Sequence, residues 1–231
     1  MKERPILFSG EMVRAILAGT KTQTRREIKP QPMDEYTKNS HISYDADGNC
    51  IWWQTPGPMV MAAAKNKYGQ PGDKLWVKET WATSRACDDR PPSDMEKPGR
   101  GYGWPVWYRA DGSVNTRRAD PVPQGGPGFT TMGKWRPSIF MPRWASRITL
   151  EIAAIRVERL QAISEADARA EGVKCIGLRY EKEASTAYAE LWEKINGVGS
   201  WALNPWVRVI EFKALPFVQA SVRAAKAVDV D

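Results

Sequence analysis

The residues best suited to contacting a ligand lie in one polar segment near the amino terminus. Residues 20–26 read Thr-Lys-Thr-Gln-Thr-Arg-Arg and include no apolar side chain. Such a segment has no apolar surface to bury, so it is predicted to be an exposed loop or an edge strand rather than part of a core. Its cations, Lys21, Arg25 and Arg26, are suited to contacting phosphates, and Thr22 and Thr24 to bonding backbone groups in a turn.

The overall charge is moderately basic, with a formal net charge of +7 and a sequence pI near 9.3. A basic protein attracts polyanions, of which nucleic acid is the commonest. A generic soluble surface with an excess of lysine gives the same charge, so charge does not decide between the two interpretations.

Cysteine and histidine are too sparse for the usual metal or catalytic sites. Cys50, Cys87 and Cys175 form no Cys-x-x-Cys pair, and His41 is the only histidine. A zinc site would need nearly all four to converge, and a histidine-based catalytic unit would have to use His41, which lies in a polar stretch. We therefore expect free thiols, no metal and no cofactor.

No segment has the ~20 apolar residues of a membrane helix. The first residues, MKERPILFSGEMVRAILAG, lack the continuous apolar run of a secretory signal. A cytoplasmic protein without a membrane partner is the expectation.

The elements that must position the polar segment flank it closely. A strand-like run, Pro5–Phe8, leads to a helix that Ser9 caps and Gly19 ends. The apolar face of this helix is formed by Met12, Ile16 and Leu17. The polar segment therefore follows directly on a helix end.

Regular patterns return at residue 71 and again from residue 144. Pro71-Gly72-Asp73 is a turn that begins a strand, and Ser164 caps a helix that runs to Glu171 and ends at Gly172. The other predicted elements are an alternating strand through Ile148, Leu150 and Ile152 to Leu160, a helix over 183–195 with Tyr188, Leu191, Trp192 and Ile195 on its apolar face, and a strand from Trp206 to Lys213.

Two stretches, about 29–70 and 83–143, are rich in turn-forming residues and are predicted to be irregular insertions, the first with a hairpin around Asp45–Gly48. The domain is placed at 1–215 and a tail at 216–231. The fold class is α+β, mostly β, as a small barrel with flanking helices.

Eleven tryptophans are unusually many for a chain of this length. Trp76, Trp192 and Trp206 lie on periodic elements and are predicted to be core residues. Those in the insertions, Trp52, Trp53, Trp104, Trp107 and Trp135, are suited either to stacking on bases or to pinning loops, and we favour pinning.

Four motifs in order resemble those of ASCH domains in the PUA-like superfamily, particularly of phage and prophage ASCH-like proteins. The first is Gly19-Thr-Lys21-Thr-Gln-Thr24-Arg25-Arg26, similar to a Gly-x-Lys-x-x-Thr-x-Arg signature. The second and third are Pro71-Gly-Asp73 before Leu75-Trp-Val77, and the run from Ile163 through Ala168 to Glu171-Gly172. The last is a closing segment of Trp192 with Ile195-Asn196, then Asn204-Pro-Trp-Val207 and Val209-Ile-Glu-Phe212. The resemblance covers about half of the chain and implies a PUA-like barrel with a cleft beside the first helix.

The resemblance also implies association with RNA or a modified nucleoside, with Lys21, Arg25, Arg26, Trp76 and Lys78 as ligand-binding residues. One branch of the family hydrolyses N4-acetylcytidine with a lysine, a threonine and a glutamate, which correspond to Lys21, Thr24 and Glu171. In that chemistry the lysine activates the threonine hydroxyl and the glutamate protonates the leaving amine.

Three further possibilities stay open at this point. Lys21 and Glu171, with Arg25 and Arg26, are suited to a metal-independent ribonuclease, since that chemistry needs mainly positioning and charge stabilisation. In a purely binding protein, Glu171 is an ordinary helix-end carboxylate paired with Arg26. A host protein is another possible partner, and the oligomeric state is left open.

Overall fold

The computed structural model describes residues 1–31, 40–44, 49–54, 59–95, 104–115, 131–173 and 183–216. These residues form an α+β structure, mostly of strands. The strands are β1 (Glu3–Leu7), β2 (Gln23–Glu27), β3 (Ser40–Tyr44), β4 (Cys50–Gln54), β5 (Met59–Ala64), β6 (Lys74–Lys78), β7 (Trp81–Ala82), β8 (Val106–Tyr108), β9 (Val114–Asn115), β10 (Thr149–Arg159) and β11 (Trp206–Ala214). The helices are α1 (Gly10–Leu17), α2 (Glu165–Ala170) and α3 (Ala184–Asn196).

A five-stranded sheet in the order β1-β6-β10-β11-β2 organises the described part of the chain. β1 and β6 are parallel and every other neighbouring pair is antiparallel. The alternating pattern of β10 and the near-continuous apolar run of β11 suit central strands, and their register shifts between Ile152 and Ala154 at a bulge. Together with β6, these two strands lie between the edge strands β1 and β2.

The first helix forms as the sequence predicts, because Ser9 accepts a hydrogen bond from the Met12 N–H and Gly19 follows the helix with φ +73°. Its buried residues are Val13 and Ile16, whereas Leu17 is exposed. The prediction of Leu17 on the core face was wrong. α1 packs on a core of Ile6, Phe8, Leu75, Val77, Leu150, Ile152, Ile210 and Phe212.

The polar segment is an edge strand, as predicted, but its burial was predicted wrongly. β2 pairs only with β11 in this sheet, yet Lys21, Gln23, Thr24 and Arg25 are all buried. Polar residues can enter a protein interior when each finds a partner there. The partners come from α2 and β10, which lie far along the chain.

Helices α2 and α3 cover the face of the sheet opposite α1. Ser164 accepts from the Asp167 N–H at the start of α2, as predicted. Glu165 in turn accepts from the Ala184 and Ser185 N–H groups and so satisfies the first turn of α3. Beneath the helices lie Leu160, Ile163, Ala168, Tyr188, Trp192, Val207 and Val209. Ile195 is exposed, contrary to its predicted place on the apolar face.

The two insertions contain more regular structure than was predicted. The first includes a three-stranded sheet, β3-β4-β5, whose β3–β4 pairing confirms a hairpin although its turn, 45–48, lies outside the described residues. In the second, β8 and β9 form a sheet with β7, which lies just before the insertion. A separate buried cluster joins Tyr108 and Met141 of the insertion to Trp81 and Trp144 on either side of it. The tail from 217 onward and Cys175 lie outside the described residues, and Cys87 is a buried free thiol.

The tryptophans divide differently from the prediction. Trp192 is buried, as predicted for a core residue. Trp76 and Trp206 were also predicted to be core residues but are only half-buried. Among the tryptophans whose burial is described, Trp81 is fully buried, and it stacks edge-to-face with Trp144 at 5.8 Å. The helices that the structure describes include none with the length and hydropathy of a membrane span.

Gly172 and Gly19 offer a matched test of the packing between α1 and α2. Both have positive φ, but a Cβ on Gly172 would lie 2.9 Å from the Cβ atoms of Ala15 and Lys21, whereas one on Gly19 would meet nothing within 4 Å. We expect Gly172→Ala to lower the free energy of unfolding by about 2–4 kcal/mol, from strain plus overlap. Gly19→Ala should cost about 1 kcal/mol, from strain alone. Urea unfolding measures both, and equal losses would contradict the close approach.

Candidate functional site

A buried ion pair joins the polar segment to the end of α2. The Lys21 Nζ lies 2.7 Å from Glu171 Oε2 and also donates to the Glu171 carbonyl oxygen at 2.9 Å. Lys21 and Glu171 are only 2% and 4% exposed. The predicted convergence of these two residues is therefore present.

Backbone contacts fix this pairing. An antiparallel bridge joins Lys21 to Glu171, and the Thr22 N–H donates to the Ala170 carbonyl oxygen at 2.9 Å. The Gln23 side-chain amide donates to the Asp167 carbonyl oxygen at 2.8 Å. These contacts hold Thr22 and Gln23, next to the ion pair, against the end of α2.

Arg25 is a buried arginine that contacts three carboxylates, of which Glu171 is buried and Glu158 and Asp167 are partly exposed. Its guanidinium contacts Glu171 Oε1 at 3.2 Å, Glu158 Oε1 at 2.6 Å and Asp167 Oδ2 at 3.3 Å. The Arg25 side chain is fully buried, and its guanidinium carbon, Cζ, lies 5.9 Å from the centre of the Tyr188 ring. Glu171 is therefore paired with Arg25 and Lys21, not with Arg26 as the binding-only interpretation expected.

Arg156 forms an outer layer of the same cluster. It contacts Glu158 at 3.0 Å and Asp167 at 2.8 Å, and it also pairs with Glu211. Because Arg156 is partly exposed, it closes the cluster towards solvent. Cations and carboxylates alternate from Lys21 outward to Glu211.

Burial governs the ionisation of the site. It lowers the pKa of the Lys21 amine below its ordinary value. The Glu171 carboxylate raises this pKa in part, and the nearby charges of Arg26 and Arg25 lower it further. Burial also raises the pKa of the Tyr188 hydroxyl well above its usual value, so this phenol stays neutral at physiological pH. A lysine amine that is easier to deprotonate than usual is better suited to act as a base.

A cleft of about 70 Å³ opens beside the ion pair, between α1, β2 and α3. Its polar wall includes Thr24, Arg25, Arg26 and Glu171. Its apolar wall is formed by Met12, Tyr188, Leu191, Trp192 and Ile195. Lys21 lies behind this lining, in contact with Glu171. The cleft therefore has Thr24 and Glu171 on one wall and an apolar surface on the other.

Three residues that line the cleft each have a buried N–H donor without a hydrogen-bond partner in the described part of the chain. Arg25 Nε, Arg26 Nε and Trp192 Nε1 belong to residues that line it, and each is buried without a hydrogen-bond acceptor among the described residues. Buried polar groups normally have partners. A ligand atom that accepts hydrogen bonds suits this lining best.

Arg26 is the cation at the cleft mouth. Its guanidinium lies 5.3 Å from the centre of the Phe8 ring and donates to the Leu7 carbonyl oxygen at 2.6 Å. It is half-buried, in contrast with Arg25. Of the two arginines predicted to contact a ligand, Arg26 is the accessible one, and Arg25 is committed to carboxylates.

Trp76 and Lys78 lie on β6, away from the cleft lining. The Lys78 amine lies 5.3 Å from the centre of the Trp76 ring and donates to the Ile139 carbonyl oxygen at 2.6 Å. The structure thus brings Lys21, Thr24, Arg25, Arg26 and Glu171 together and leaves these two predicted residues elsewhere.

Several residues of the site were not identified from the sequence, among them Glu158, Asp167, Arg156 and Tyr188. Asp167 and Tyr188 were noted only for helix capping and helix packing. Glu158 and Arg156 occupy alternate positions of β10, which placed two charges on one face of a central strand. That signal was available in the sequence.

The described residues include no group of three or more histidine, cysteine or acidic side chains arranged to hold a metal ion. Comparisons of the chain with protein-family models, with curated proteins and with solved structures found no match.

Replacement of Glu171 by Gln tests the electrostatic design of the site. It leaves Lys21 and Arg25 buried without their shared carboxylate, so we expect the free energy of unfolding to fall by about 3–5 kcal/mol. The matched control is Glu211→Gln, because Glu211 pairs with Arg156 at the exposed rim and should cost less than about 1 kcal/mol. Urea unfolding checks both, and similar small losses would show that the Glu171 contacts contribute little.

Proposed function

We propose that this chain is an ASCH-like protein of the PUA-like superfamily that binds a modified nucleoside and hydrolyses its N-acyl group. N4-acetylcytidine is the substrate that the resemblance favours. The observation that supports hydrolysis most strongly is the contact of Lys21 with Glu171 behind a cleft that both Thr24 and Glu171 line. A nucleophile, a base and an acid are then within one small site.

A barrel-like closure of the sheet belongs to the same proposal. Arg26 on the edge strand β2 bonds the Leu7 carbonyl oxygen on the opposite edge strand, β1. A side chain that links the two edges supports a sheet curled on itself, as in a small barrel.

The proposed reaction assigns one role to each of Thr24, Lys21 and Glu171. Thr24 Oγ attacks the acyl carbonyl carbon while Lys21 takes the hydroxyl proton, and the proton passes to Glu171, only 2.7 Å from the lysine amine. Glu171 delivers it to the nitrogen of the base as the carbon–nitrogen bond breaks. Water then hydrolyses the acyl-threonine ester, which releases the carboxylic acid and restores the hydroxyl.

The cleft dimensions and lining suit this substrate. A volume of 70 Å³ accommodates the equivalent of roughly five to seven water molecules at ~10–15 Å³ each. That space suits an acyl group and the adjoining edge of a base, with the sugar outside near Arg26. The unpartnered donors at the lining suit a carbonyl oxygen.

The commitment of Arg25 to three carboxylates favours hydrolysis of an acyl group over cleavage of RNA. Phosphoryl transfer depends on cations that face the phosphate. Arg25 is turned towards Glu158, Asp167 and Glu171, which leaves Arg26 as the accessible arginine of the cleft.

Thr24→Val tests the proposed nucleophile. We expect it to lower the deacetylation rate of N4-acetylcytidine by roughly a thousandfold or more, since removal of a nucleophile eliminates the covalent step. Thr22→Val is the matched control, because Thr22 is exposed two residues away and should retain activity. Chromatography of cytidine measures turnover, and circular dichroism checks the fold. A wild-type protein that is inert towards a panel of N-acylated nucleosides would remove the hydrolase proposal.

A further inference from the structure

Arg25 occupies a place that simple ligand binding does not explain. It is only 3% exposed, and it contacts the Glu171 oxygen that Lys21 does not use. Lys21 bonds Oε2 and Arg25 bonds Oε1, so the carboxylate is shared by two cations. This arrangement matters when one of the two cations gives up its charge.

We propose that Arg25 is a positioning residue for the Lys21–Glu171 pair: it holds the Glu171 carboxylate from the opposite side, so that the Lys21 amine can lose its proton without leaving a lone buried anion. A buried carboxylate without a counter-charge is strongly destabilising. With Arg25 at 3.2 Å, Glu171 keeps a partner when Lys21 is neutral. This role rests on the proposed function only in so far as Lys21 is the base of a reaction.

The surroundings fix Arg25 in that place. Glu158 of β10 and Asp167 of α2 contact the guanidinium, and Arg156 holds both of these carboxylates from the solvent side. Glu211 of β11 is the outermost member, paired with Arg156. The Arg25 guanidinium is therefore held in a fixed position beside the Glu171 carboxylate.

Among the described residues, three charged groups act on Lys21. Glu171 contacts it from the end of α2, and Arg25 and Arg26 act on it from β2. Tyr188 of α3 stays neutral because burial raises its pKa, so it does not titrate in the same range. A change in the titration of Lys21 on substitution of Arg25 can therefore be attributed to charge.

The direction of that change follows from the sign of the charge. Removing the cation at position 25 removes a charge that repels protonated Lys21. It also leaves Lys21 as the cation that contacts the Glu171 carboxylate, so the pKa of Lys21 should rise. Arg25→Gln should therefore move the acidic limb of the kcat/KM profile for N4-acetylcytidine to higher pH by about one unit. Glu158→Gln should move the limb in the opposite direction, because Arg25 then turns more fully towards Glu171.

Arg156→Gln is the matched control. It removes a cation of the same cluster that has no contact with Glu171, so its shift of the limb should be less than half that of Arg25→Gln. A merely structural role for Arg25 predicts equal loss of activity at every pH and an unmoved limb. That result would overturn the proposal.

Titration of the Lys21 side chain by NMR, with ¹³C-labelled lysine and Lys21→Met to identify the signal, gives the same information without turnover. If the wild-type protein hydrolyses no acylated nucleoside but Arg25→Gln still raises the midpoint of the Lys21 titration, the hydrolase proposal fails and the role of Arg25 stands. If hydrolysis is observed and neither the limb nor the NMR midpoint moves, only the role of Arg25 fails. If Arg25→Gln does not fold, a downward shift in Glu158→Gln supports the proposal and an unchanged midpoint overturns it.

Discussion

The meeting of Lys21 with Glu171 is the constraint on which the arrangement of this region depends. Two charges withdrawn from water are tolerated only when they are paired and their remaining hydrogen-bonding capacity is satisfied. The lysine amine therefore also bonds the Glu171 carbonyl, and the second carboxylate oxygen accepts from Arg25. The requirement extends to the backbone, because Gly172 lies so close to Lys21 that a side chain there would overlap it. The edge of the sheet and the end of α2 must consequently stay in contact.

The burial of a polar edge strand follows from the same constraint. An edge strand presents unpaired backbone groups and is normally shielded by charged residues, by brevity or by a covering element. Here α2 and α3 cover β2, and the carboxylates of the covering layer neutralise the cations of the strand. A cleft remains beside the covered strand, lined by residues of α1, β2 and α3. The charge cluster and the cleft are therefore two results of one packing arrangement.

The sequence predicted the local structure around the site better than the site itself. Caps such as Ser9 and Ser164 depend on a few neighbouring residues, so their positions follow from the sequence. Burial of Lys21 and Arg25 depends on partners 150 and 133 residues away, and nothing in the polar segment indicates which carboxylates will reach it. The strands within the insertions were missed for a related reason, since short strands among proline and glycine have little periodicity to detect. The order of the motifs predicted that Lys21 and Glu171 lie close together. The contacts of Glu158 and Arg156 with this site could be seen only once the register of β10 was known.

The ionisation of Lys21 indicates that the cluster is not arranged for stability alone. Burial holds the pKa of its amine below the ordinary 10.5. Between the lowered pKa and 10.5 the unfolded chain binds the proton more readily than the folded chain, so stability rises with pH through that window. At lower pH the folded protein therefore bears a cost that an apolar residue at position 21 would avoid. Groups whose pKa is shifted by burial and by a charged partner are frequent at functional sites. The proposed proton transfer through Lys21, beside a cleft that Thr24 lines, accounts for a lysine rather than an apolar residue at this position.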